Sequence, residues 1–200
     1  MDQARADKTM QQLTDPFGRS INYLRLSVTD RCDLRCFYCM PEGFKDFEVP
    51  EHWLTPDEIE RLVGVMADMG LSHVRITGGE PLVRKGIEDI VGRVASMPGI
   101  QDVSLSTNAT RMNKMAETLR AAGANRINVS LDTLDPERFQ SITKGKVDKV
   151  VNGLAAAKAA GFDPIKINAV VMKDLNEHDM EGLLDYCIDN GFTLRMIETM

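Results

Sequence analysis

What most restricts the fold of this chain is an alternation between two hydrophobic periods that repeats from residue 21 to the last residues. Segments with an apolar residue at every second position alternate with segments at helical spacing. Residues 21–29, 73–77, 102–106, 126–131, 164–172 and 193–198 read as strands, and 56–69, 86–97, 111–122, 148–160 and 177–190 as helices. Repeated βα units of this kind build a parallel sheet, so the fold is predicted to be α/β: an open, six-stranded part of a TIM-like barrel. The helix ends agree. Thr55, Pro56 and Glu58 make a capping box, and Gly70, Gly123, Gly161 and Gly191 stand where left-handed C-caps belong. Nothing within the chain reads as a linker, so 15–200 is taken as one domain behind a frayed segment, 1–14.

Strands of a parallel sheet are usually apolar on both faces, and several here are not. Leu24 and Leu26 oppose Arg25 and Ser27; Val74 and Ile76 oppose His73, Arg75 and Thr77; Ile165 and Ile167 oppose Lys166 and Asn168. Asn128, Ser130 and Asp132 continue the polar set. Helices must cover the apolar face, so the polar face lines the concave interior, as in a ligand channel. Three cations on three strands would be costly to bury unpaired. Arg25, Arg75 and Lys166 therefore point to a polyanionic ligand, unless Asp132 and Glu80 neutralise two of them. The net charge of −6 argues against a surface that coats nucleic acid, and leaves any anion to be held by local charge. No apolar run approaches the roughly 20 residues that span a bilayer, and the first residues lack the apolar core of a signal peptide; the expected location is cytoplasmic.

The stretch "RCDLRCFYCM" carries Cys32, Cys36 and Cys39, three of four cysteines. The fourth, Cys187, lies in a helical pattern and is expected to be a buried core thiol. Structural zinc takes four ligands, and neither a second cysteine hook nor a well-spaced histidine is at hand, His52 being thirteen residues past Cys39. Three thiolates on a four-iron cube leave one iron open, which is where a substrate binds. The loop follows the first strand, at the C-terminal mouth where barrels keep their chemistry.

Here the sequence resembles the radical S-adenosylmethionine (SAM) enzymes, whose signature is Cys32, Cys36 and Cys39 with an aromatic residue, Tyr38, before the last. The resemblance implies a 4Fe-4S cluster whose open iron chelates SAM. "TGGEP", with Gly78, Gly79 and Glu80, looks like the segment that holds the cofactor's amino group, its glycines removing side chains where a ligand nears backbone. Read along the chain, "DPFGRSINYLRLSVTDRC", "RITGGEPLVRKG", "STNAT", "RINVSLDTLDPERF", "PIKINAVVMK" and "LRMIETM" are similar to successive blocks of the GTP 3′,8-cyclase family of molybdenum cofactor biosynthesis. That likeness implies contacts to GTP from Arg25, Arg75, Thr107 and Lys166, and to SAM from Tyr38, Gly79, Ser130 and Met200. It implies removal of the ribose H3′ by a 5′-deoxyadenosyl radical and attack of the carbon radical on guanine C8, steps that need no general base; His73 is read as a hydrogen-bonded strand residue. The implied partners are GTP, a reducing electron-donor protein and, in a homodimer, a second copy of the chain.

Two features depart from the family. Its C-terminal region, with three more cysteines for a second cluster, is missing, so the chain is expected to be a fragment or a short member. Asp33 stands where the family more often has Asn. Another radical SAM enzyme, such as a peptide-modifying one, and a noncatalytic zinc module are the alternative readings.

Overall fold

A computed structural model describes residues 12–40, 43–48 and 50–198. In chain order the elements are β1 (Tyr23–Ser27), α1 (Pro56–Asp68), β2 (His73–Thr77), α2 (Ile87–Ala95), β3 (Asp102–Thr107), α3 (Met112–Ala121), β4 (Arg126–Ser130), α4 (Pro136–Thr143), α5 (Val147–Ala159), β5 (Ile165–Val171), α6 (Met180–Asn190) and β6 (Thr193–Glu198). All six strands are parallel, in the order β1-β2-β3-β4-β5-β6, with β1 and β6 at opposite edges. This is the open part of a β/α barrel that the alternating periods predict. Among the described residues no helix is long and apolar enough to cross a membrane.

The capping box forms as expected: the Thr55 hydroxyl accepts from Glu58 N–H at 3.2 Å and the Glu58 carboxylate accepts from Thr55 N–H at 2.8 Å. The four C-terminal glycines all take positive φ, from +71° at Gly191 to +105° at Gly123. Two elements differ from the reading of the sequence. α4 was not predicted; Asp135 caps it by accepting from Arg138 N–H and Pro136 opens it, but its eight residues are too few for a helical period to register. The last helix begins at Met180, after a 3₁₀ turn over Glu177–Asp179. Residues 1–11 of the segment read as frayed lie outside the described residues. Leu13 and Thr14 are tied down, Leu13 N–H donating to Met69 O and Thr14 bridging Ser20.

The apolar faces of the strands meet the helices. Val74, Ile76, Leu105, Ile127, Val129 and Ile167 are fully buried against Val63, Ile90, Leu119, Leu154 and Leu183, each burial contributing roughly 1.5–3 kcal/mol. Cys187 is a core thiol at 1% exposure, as expected. Gly153 lets α5 press onto the β3–α3 loop: a Cβ there would sit 2.0 Å from the Ala109 carbonyl oxygen. Alanine is the better helix former by about 1 kcal/mol, yet overpacking against backbone costs about 1–3 kcal/mol. Gly153→Ala is therefore expected to lower the urea midpoint at unchanged m-value; a raised midpoint would mean that the helix and loop can part freely.

Candidate active site at the mouth of the sheet

Register sorts the polar side chains into layers on the concave face. Arg25 pairs with Arg75, Arg75 with Ser104 and Ser104 with Arg126; one layer higher, Ser106 pairs with Asn128, Asn128 with Lys166 and Lys166 with Thr193. The third layer aligns Ser130, Asn168 and Arg195. Arg126 and Arg195 belong to this face by the same parity as Arg75 and Lys166, and the reading of the sequence passed over both. Among the described residues Arg126 is the one cation of the group with a carboxylate, Asp102, at 2.6 Å.

Neither carboxylate considered as a neutraliser plays that part. Asp132 accepts from the Tyr38 hydroxyl at 2.6 Å and from Val170 N–H at 2.9 Å. Glu80 accepts from Leu82 N–H at 3.0 Å, the Thr107 hydroxyl at 2.7 Å and Asn108 N–H at 2.6 Å. The cations are left facing one another. The Arg75 guanidinium is held below its ordinary pKa, by burial first and by Arg126, Arg25 and Arg195 besides, while the Tyr23 ring 5.3 Å away relieves it in part. Its Nε is buried without a hydrogen-bond partner. Lys166 is lowered too, by desolvation and then by Arg195, Arg126 and Arg75.

A cavity of about 470 Å³ opens at the C-terminal ends of the strands, within the range that holds a cofactor-sized ligand. Cys32, Cys36 and Cys39 line it, with Tyr38, Gly78, Gly79, Glu80 and Ser130 of the expected SAM contacts and Arg25 and Thr107 of the expected GTP contacts. Arg75 and Lys166 sit below it on the same face, and His73 hydrogen-bonds Ser72 at 2.8 Å. Met200 lies outside the described residues. All four cysteines are free thiols.

The donor set suits an iron–sulfur cluster. Three soft thiols on one loop face one cavity, and Cys32 Sγ accepts from Leu34 N–H at 3.4 Å and from Asn108 Nδ2 at 3.8 Å, as a cluster thiolate does. Among the described residues no three candidate ligands converge on a single ion; a cube asks for no such convergence, because each thiolate takes its own iron. Burial first, and repulsion from Cys39 after it, push the Cys36 thiol well above its ordinary pKa. His52 rests against Glu48 at 3.2 Å.

Packing within the chain places a second demand on the glycine pair. A Cβ on Gly78 would lie 2.4 Å from the Thr29 carbonyl oxygen, and one on Gly79 2.4 Å from that of Arg31. What comes close is therefore the chain's own backbone. Gly79 N–H donates to Thr29 O at 2.7 Å and Glu80 N–H to Arg31 O at 2.8 Å, so the loop after β2 seats the root of the cysteine loop. Asp33 holds the other side, its carboxylate accepting from Asn108 Nδ2, Thr110 Oγ1 and Arg111 Nε at 2.8, 2.9 and 3.1 Å. Those bonds keep Asp33 below its ordinary pKa although burial opposes them, so the charge it adds is locally offset.

Burial raises Glu80 to about 7, against three hydrogen bonds that lower it. An acid raised on folding binds more protons in the folded than in the unfolded state between the two values. Apoprotein stability is thus expected to be full below pH 4.5, to fall by about 3 kcal/mol as pH rises to 7, and to level off above. Denaturation midpoints of the wild type and Glu80→Gln across that window check it; equal slopes would show that Glu80 is ionised throughout.

The family model described as the Radical SAM superfamily matches residues 26–187. Among curated relatives, the GTP 3′,8-cyclase of Hydrogenovibrio crunogenus is 47% identical over 190 residues, covering 94% of this chain and 57% of its own length. GTP 3′,8-cyclase 1 of Pseudomonas aeruginosa is 47% identical over 192 residues, 96% of this chain and 58% of that protein. The chain thus spans little more than half the length of these relatives. Among solved structures, Streptococcus suis SuiB bound to S-adenosylmethionine superposes with a TM-score of 0.73 at 23% identity, over 90% of this chain and 41% of that one. anSMEcpe with bound AdoMet gives 0.69 at 18%, over 89% and 51%. These two share the fold.

Proposed function

Because the chain belongs to the Radical SAM superfamily, we propose that it is the catalytic core of a GTP 3′,8-cyclase, the lyase of the first step of molybdenum cofactor biosynthesis. Cys32, Cys36 and Cys39 would hold a 4Fe-4S cluster. When bound and reduced, that cluster would supply the electron that splits SAM into methionine and the 5′-deoxyadenosyl radical; loss of H3′ of GTP to that radical, closure of C3′ on guanine C8 and uptake of one further electron from the reducing donor and one proton from solvent would give 3′,8-cyclo-7,8-dihydro-GTP. The observation that carries the reading is a concave face whose mouth is lined by the three thiols and Arg25, with further cations on the strands of the same face, all but Arg126 lacking a carboxylate among the described residues.

On this reading the protein's own groups bind, orient and exclude water. Tyr38, Gly78, Gly79, Ser130, Met200 and Glu80 contact SAM; a carboxylate has about four acceptor sites, so the three bonds Glu80 already accepts leave one for the cofactor's ammonium. Asp132 fixes the Tyr38 ring through its hydroxyl. Arg25, Arg75 and Lys166 take the triphosphate, joined by Arg195. Thr107, its hydroxyl already donated to Glu80, would meet GTP as an acceptor or at its methyl. The free thiols and the need for a reducing donor fit a cytoplasmic protein.

The test is 5′-deoxyadenosine release by the anaerobically reconstituted, reduced protein given SAM, with and without GTP. Release that rises with GTP supports the reading. Release indifferent to GTP would keep radical chemistry and reject this substrate in favour of another, such as a peptide; a colourless protein that retains zinc would overturn both.

A further inference from the structure

Beside the cysteine loop, and outside the cavity, lies an open groove of about 420 Å³ lined by Asp33, Thr110, Arg111, Asn113, Lys114, Met115 and Lys149. Its cations come from the turn before α3, from α3 itself and from α5, and Lys114 and Lys149 are exposed. Its one carboxylate, Asp33, is already paired with Arg111 at 3.1 Å. Near it Lys146 precedes α5 and Lys144 follows Thr143, whose carbonyl accepts from Arg35 N–H at 2.8 Å, against one acid, Asp148, in the first turn of α5. On a chain of net charge −6 this is a local reversal of sign, and it abuts the residue next to Cys32.

The groove is also wired to a thiol. From Arg111 the bonds run to Asp33 and on to Asn108 Nδ2 at 2.8 Å, which in turn lies 3.8 Å from Cys32 Sγ. We propose that this groove is the docking surface for an acidic, one-electron carrier protein, which passes its electron to the cluster side of Cys32. The proposal rests on the radical SAM reading. One electron leaves the reduced carrier, which is oxidised by one, and the cluster is reduced by one; no bond is made or broken at this step. Exposed lysines on two helices suit a protein partner better than a small anion, because charges at a rim steer encounter and select partners more than they hold a ligand tightly.

The probe is a reduced flavodoxin of strongly acidic surface, set against photoreduced 5-deazariboflavin, a small uncharged reductant. In the reconstituted protein, Lys114→Glu with Lys149→Glu is expected to slow flavodoxin-driven 5′-deoxyadenosine release at least tenfold at low salt and leave deazaflavin-driven release unchanged. The difference should fade near 1 M salt, where screening acts within about 3 Å. Titration of the apoprotein with flavodoxin should show the same loss of affinity, which needs no cluster. Lys→Gln at both positions gives a smaller loss, and Arg61→Glu, on α1, gives none. Unchanged flavodoxin-driven release, or equal slowing with both reductants, would overturn the docking surface alone. No release with either reductant would overturn the radical SAM reading and the docking surface with it.

Discussion

Gly79→Ala is expected to abolish iron retention while lowering apoprotein stability by about 1–3 kcal/mol, the usual cost of overpacking. The new methyl would sit 2.4 Å from Arg31 O and 2.7 Å from both Arg31 C and Asp30 O, all of them backbone atoms that no rotamer can move aside. Either the β2 loop or residues 30–31 must retreat, and each retreat breaks the bonds from Gly79 N–H and Glu80 N–H. Cys32 follows Arg31 directly, so a displacement there changes where the first thiolate points. Function should fail before the fold does, because a folded protein of this size tolerates a few kcal/mol while three thiolates must meet one cube. The control is Gly64→Ala in α1, where a Cβ meets nothing within 4 Å; it should stabilise by up to about 1 kcal/mol and keep its iron. Iron and sulfide content after reconstitution, beside the urea midpoint, decides. A Gly79→Ala protein that binds iron like the wild type would show that the glycine pair does not seat the cysteine loop.

This pair marks where the sequence stops being legible. Two glycines announce a close approach, and the sequence suggests a ligand as the approaching group; only the three-dimensional arrangement of β1 and β2 shows that residues 29–31 come close as well. Local signals carried much else. The layers of Arg25, Arg75 and Lys166 follow from a period of two, and the helix ends from single capping residues. α4 escaped because eight residues hold barely two turns, although Asp135 and Pro136 marked its start. Arg126 escaped because it opens its strand, two positions before Asn128 and of the same parity. The partners of Asp132, and Thr107 and Asn108 beside Glu80, escaped because these are contacts between residues distant in the chain, 94 apart for Tyr38 and Asp132 and 27 and 28 apart for Glu80. The role of Asp33 was hidden for the same reason, its three donors lying 75 to 78 residues away.

Lys166→Gln is expected to weaken GTP binding about tenfold, near 1.4 kcal/mol, while leaving the apoprotein as stable as before or more so. The sign of the second effect is the informative one. Lys166 stands among Arg75, Arg126 and Arg195, and their charges depress its pKa along with burial. Removing one positive charge relieves the others when no anion is present, and removes an attraction when a triphosphate is. A lysine kept for structural reasons would show the opposite, a loss of stability with no change in affinity. Arg75→Gln should act in the same two directions with a larger change in affinity, because its buried Nε has no partner to lose and an anion to gain. Arg126 separates the cases within one face: its Asp102 partner at 2.6 Å would be left unpaired by Arg126→Gln, so that variant should lose stability. Titrations with GTP at several salt concentrations, alongside urea midpoints of the apoproteins, check all three. If Lys166→Gln and Arg75→Gln both destabilise and neither weakens GTP, the concave cations serve the fold, and the triphosphate must be sought elsewhere.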